Sequence, residues 1–105
     1  MLTKENLILT RAEPNGLGGL QFLYKIKSYG ISAVTLPMEN ITQIHWEVDI
    51  IKYADTNSLK YEVCHNTELA KKTLVFHNDK HLNEFLGKAF LYLHELQLLE
   101  GMLNV

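Results

Sequence analysis

"NDKHLNEFLGKAFLYLHELQLLEG", Asn78 to Gly101, is where the apolar residues stop alternating and begin to recur every three or four positions. Leu82, Phe85, Leu86, Ala89, Phe90, Leu93 and Leu96 follow the i, i+3, i+4, i+7 rule of an amphipathic helix. Asn78 or Asp79 can serve as its N-cap, because a short side-chain oxygen accepts a bond from an otherwise orphaned N–H. Gly101 is placed to act as the left-handed C′ residue. The expected helix, from about Asp79 to Glu100, is roughly 33 Å long at 1.5 Å per residue.

Everything upstream reads with period two or as turns. Ile44 to Tyr53 alternates most clearly, with Ile44, Trp46, Val48 and Ile50 on one face and His45, Glu47 and Asp49 on the other. Leu20 to Lys27 places Leu20, Phe22, Tyr24 and Ile26 opposite Gln21, Lys25 and Lys27, with Leu23 breaking the polar side. "SYG" (Ser28 to Gly30) reads as a tight turn into a returning strand, Ile31 to Leu36, which Pro37 ends because it has no N–H for a ladder. "MENIT" is then a connection. Asn6 to Ala12, Leu59 to His65 and Thr73 to Phe76 complete the set, with "NTELAKK" a polar connection before the last. The expected fold is α+β: an antiparallel meander of five or six strands covered on one face by the C-terminal helix, a single domain over residues 1–105.

The helix carries a second apolar stripe. Gly87, Leu91, His94 and Leu98 fall together opposite the core stripe, spaced 4, 3 and 4, with Met102 near. A helix apolar on two sides is usually covered on both, and two-fold pairs are the commonest oligomers. These four residues are the expected homodimer interface. The outer sheet face combines Leu23, Ile51 and Tyr53 with Lys25, His45, Glu47 and Asp49, a mixture expected of a partner-binding surface. Cover by the N-terminal strand or by a dimer mate is the competing explanation for its apolar members.

Composition narrows the classes. A formal charge of −2 with no basic run argues against nucleic acid as a partner. The charged opening "MLTKENLILTRAE" does not read as a signal peptide, and no apolar run nears the ~20 residues that span a bilayer. With Cys64 as the single cysteine, no intramolecular disulfide is possible, which fits a reducing cytoplasm. The expectation is a cytoplasmic protein with no membrane contact.

Chemical motifs are sparse. "PNGLGGLQF" (Pro14 to Phe22) brings three glycines together, yet the dinucleotide fingerprint needs a third spaced glycine and a helix after it. Here Gln21 stands at the third position and a strand follows, so the stretch reads as a turn. His77 and His81 in "HNDKH" straddle the helix start and need not share a face, so no metal site is expected. Cys64 and His65 are strand neighbours pointing to opposite faces, which prevents direct activation of the thiol. Glu47 and Asp49 share a face, but without further convergent polar groups they read as solvated. No catalytic residue and no cofactor is expected, and the chain reads as non-enzymatic.

Three pieces together resemble a family. "GGLQFLYKIKSYGISAV" (Gly18 to Val34), "WEVDIIK" (Trp46 to Lys52) and "NDKHLNEFLGKA" (Asn78 to Ala89) occur in the order seen in small uncharacterised proteins encoded by bacteriophages and prophages. Their pattern is Gly-Gly-x-Gln, Tyr-Gly-x-Ser and Trp-Glu followed by a C-terminal helix. The sequence departs from it at Ala33, and no basic residue follows that strand. The resemblance implies a mobile-element accessory protein in a bacterial host cytoplasm, and transfers no catalytic residue. The functional expectation is a protein that binds a host or phage protein, as a small antagonist of host defence. The alternative is a small-ligand module for a nucleotide or metabolite, lined by Tyr24, Trp46, Tyr61 and Tyr92.

Overall fold

The structure, a computed structural model, describes residues 1–16, 18–35, 45–55 and 57–103. The expected strand end at Pro37, the "MENIT" connection and Ile44, the expected first residue of the next strand, lie outside them. Six strands precede one helix: β1 (Leu7–Ala12), β2 (Leu20–Ile26), β3 (Tyr29–Thr35), β4 (Trp46–Tyr53), β5 (Tyr61–Val63), β6 (Leu74–Phe76) and α1 (Asp79–Leu103). All pairings are antiparallel, in the order β1-β2-β3-β4-β5, with β6 also on β4. The fold is α+β, a sheet packed against one long C-terminal helix.

β5 and β6 share one edge of β4. β5 pairs with Ile51 to Tyr53, and β6 pairs with Trp46 to Val48. The intervening residues leave the edge and fold back towards the helix, where Thr67 and Ala70 are buried. That excursion shortens β5 to three residues, against the seven expected. Cys64, expected on the polar side, packs instead against the helix-side core.

Alternation supplies that core. Tyr24, Ile26, Ile31, Ala33, Trp46, Val48 and Ile50 meet Leu82, Leu86, Ala89, Phe90 and Leu93 of α1. Aromatic contacts run through the layer, with Phe22 edge-on to Trp46 at 5.4 Å and Tyr24 tilted on Phe90 at 5.5 Å between ring centroids. Trp46 lies at the start of β4. Its indole N–H therefore reaches the helix start, donating to Asp79 Oδ1 at 2.8 Å.

Two boundaries differ from expectation. The β2–β3 turn is Lys27–Ser28, with Lys27 at φ 58°, and Tyr29 and Gly30 belong to the strand. The Ile26↔Tyr29 pairing leaves only two residues for the turn. Asn78 is the N-cap, its Oδ1 accepting from the His81 backbone N–H at 2.8 Å. The C′ role expected of Gly101 does not exist, because the helix runs through it to Leu103. Glycine lowers helix propensity by about 1 kcal/mol but does not by itself stop a helix.

Candidate binding surface

The sheet face away from α1 carries the polar side chains, and it is not open. Leu23, Ile51 and Tyr53, expected there as exposed contact residues, are 0%, 0% and 4% exposed. They form a second small core under Leu9 of β1 and Tyr61 of β5. The expectation of an exposed apolar patch at these three residues is therefore corrected. The end strands fold side chains over them, and burying apolar surface drives that cover.

Tyr53 explains the glycine at position 30. Its ring lies over Gly30, and its hydroxyl donates to the Tyr24 carbonyl at 3.1 Å. A Cβ on Gly30 would collide with the Tyr24 carbonyl oxygen and come 2.6 Å from Tyr53 Cε2. Glycine is required there for close approach, not for a turn.

Beside this small core the sheet forms a concavity of about 220 Å³, lined by residues including Glu13, Gln21, Ser32, Glu47, Asp49 and Tyr61. Gln21, 2% exposed, organises its floor. Its Nε2 donates to Ser32 Oγ at 2.9 Å and to Tyr61 Oη at 2.8 Å, and its Oε1 accepts from Arg11 Nε at 2.7 Å. The bond to Tyr61 crosses β3 and β4 and ties β2 to β5. Among the described residues no buried side-chain nitrogen or oxygen lacks a partner, so the floor is set before anything binds.

The glycine-rich stretch builds one wall. It joins β1 to β2, and no helix follows it. Glu13 donates its N–H to the Gly19 carbonyl at 2.8 Å, and its Oε1 accepts from Asn15 N–H at 2.7 Å. Gly16 and Gly18 take φ of 76° and 91°, the left-handed values that glycine tolerates. The carboxylate of Glu13, buried at 7% exposure, is thereby held at the mouth of the concavity.

The remaining expected contact residues are dispersed. Glu47 is exposed on the rim. Asp49 is half-buried, its Oδ1 accepting from Thr73 Oγ1 at 2.6 Å and lying 3.3 Å from His65 Nε2. In this trio the carboxylate sits between hydroxyl and imidazole, so the histidine is not placed to take the threonine proton. It staples β4 to both ends of the β5–β6 excursion. Lys25 holds its ammonium 4.8 Å from the centre of the Tyr53 ring, and His45 stacks edge-on to His77 at 4.4 Å. His81 lies against Asn78 at the helix start, 3.3 Å from its Nδ2. Among the described residues no three His, Cys, Asp or Glu side chains come together to hold a metal.

Asp79 is the most strongly engaged carboxylate at the helix start. Burial pushes its pKa up, but the Trp46 bond and the Met1 ammonium, 3.0 Å from Oδ2, outweigh that and lower it. The four aromatics of the expected ligand site do not converge. Tyr24 and Trp46 are core on the helix side, and Tyr61 is on the opposite sheet face. Tyr92 is half-buried on α1, its hydroxyl accepting from Glu68 N–H at 3.2 Å.

Sequence reading missed Glu13 and Ser32, placed Gln21 on the polar face without a role, and grouped Tyr61 with aromatics that lie elsewhere. Their signal is cross-strand: Arg11 faces Gln21, and Tyr53 faces Tyr61. Such pairs become visible only once the register is known. Gly87, Leu91, His94 and Leu98, the expected dimer residues, all lie exposed on the outer side of α1. No helix among the described residues is long and apolar enough to cross a membrane. Compared with known protein families, curated proteins and solved structures, the chain matches none.

Proposed function

We propose that this is a non-enzymatic binding protein whose partner is another protein, and that the concave sheet face receives a cationic side chain from it. The supporting observation is the concavity itself. At about 220 Å³ it is smaller than the ~300–1,000 Å³ typical of drug-sized ligand sites. Its size suits one long side chain better than a nucleotide. Val34 and Val63 offer apolar walls to a methylene stem, and Glu13, Glu47 and Asp49 offer carboxylates to its charged end. A fully bonded floor means that little ordering is needed on binding. The resemblance to phage and prophage proteins sets the context: a host or phage protein as partner in a bacterial cytoplasm, and antagonism of host defence as the role.

Charge reversal at the rim tests this reading. Glu47→Lys leaves the floor intact and places a cation where one is to be received. A partner captured stoichiometrically from host lysate by the wild type should be lost with Glu47→Lys, at unchanged melting temperature. Equal capture by both proteins would refute the assignment to this face. Stabilisation by a nucleotide or metabolite, without any protein captured, would favour the small-ligand alternative.

A further inference from the structure

We propose that α1 pairs with α1 of a second copy of this chain, antiparallel, in a register set by Lys88 and Glu95. The outer side of α1 is unpartnered and apolar: Leu91 is 60% exposed and Leu98 is 49% exposed. Gly87 has nothing within 4 Å of a Cβ built on it, so a neighbouring backbone or side chain can approach there. The spacing of Gly87, Leu91, His94 and Leu98 is that of alternate a and d positions in a heptad.

Orientation follows from the flanks of this seam. On one flank lie Phe90 and Gln97, which face the chain's own sheet and are not available to pair. On the other lie Lys88 and Glu95, both exposed and in no ion pair among the described residues. An antiparallel pair brings like flanks together. Lys88 then meets Glu95 of the second copy, and two-fold symmetry makes the contact twice. The same register sets Gly87 against Leu98 and Leu91 against His94, small against large in one layer and apolar against amphipathic in the next. A parallel pair would instead turn this flank towards the Phe90 and Gln97 flank of the second copy, which is engaged with its own sheet, and would leave Lys88 and Glu95 without an opposite charge across the seam. Antiparallel packing also opposes the two helix dipoles.

The test is sedimentation of wild type, Lys88→Glu, Glu95→Lys and the double exchange over a range of concentrations. Wild type should be a dimer that dissociates on dilution. Either single reversal should weaken it on the order of tenfold, because two attractions become two repulsions, and the double exchange should restore it. These positions are exposed, and unchanged circular dichroism should show the fold retained. In a Cys64→Ser background, Lys88→Cys mixed with Glu95→Cys should form the mixed disulfide faster than either forms its own. A monomeric wild type, a dimer indifferent to the reversals, or faster like-with-like disulfides would each overturn the proposal. None of these outcomes bears on the sheet face, so the two readings fail separately.

Discussion

Gly30 shows how one missing methyl group shapes a whole face. The Tyr53 ring occupies the space that a side chain would take, and its hydroxyl closes on the Tyr24 backbone. Gly30→Ala must displace either that ring or the β2 carbonyl. Overpacking against backbone costs about 1–3 kcal/mol or more. We expect a loss of at least that size in the denaturant midpoint, with the Tyr53 environment altered in near-ultraviolet circular dichroism. An unchanged midpoint would show that Tyr53 can move without cost. Gly87 is the opposite kind of glycine, open on all sides, so its absence of a side chain serves nothing within the isolated chain.

Among the elements, α1 depends on the β2–β3 hairpin for its second half. Its buried residues end at Leu93. Beyond that point Gln97 donates from Nε2 to the Ile26 carbonyl at 2.7 Å and accepts from Ser28 N–H at 2.9 Å. Tyr29 adds a bond from its hydroxyl to Glu100 Oε1 at 3.0 Å. This clamp holds the tight turn in which Lys27 takes a left-handed φ. Gln97→Ala removes the two bonds to the hairpin backbone, worth about 1–3 kcal/mol together, along with the bond from Nε2 to the Leu93 carbonyl of its own helix. The expected result is a destabilisation of that size, with the Ser28 amide exchanging faster than amides in the middle of β3. Uniform acceleration across the sheet would mean that the clamp is not local.

The whole molecule has two cores on opposite sides of one sheet, and buried tyrosines belong to both. Burial pushes Tyr24, Tyr29 and Tyr53 each up to about 12 from 10.0, helped at Tyr29 by its bond to Glu100. A folded pKa above the unfolded value favours the folded state while the phenol is neutral. That stability is complete below about pH 10 and is lost as pH rises towards 12. Alkaline unfolding in this window should coincide with tyrosinate absorbance. The slope of stability against pH should be shallower in Tyr53→Phe, which has one fewer phenol to titrate. Tyrosine ionisation without unfolding would contradict the burial of these groups.

Periodicity alone determined the α+β architecture, the helix and the inward face of each long strand, because side-chain direction in helix and strand follows from backbone geometry. It also placed Gly87, Leu91, His94 and Leu98 on the outer side of the helix. Spacing along a chain carries no register, and register decided the rest. Only pairing set β5 and β6 on one edge of β4, put Tyr53 over Gly30, and joined Gln21 to Tyr61. Leu23, Ile51 and Tyr53 looked like a surface because each sits among charges in sequence. They became a core because the strands at the two ends of the sheet bring Leu9 and Tyr61 over them, and burying apolar area outweighs where each residue stands in the chain.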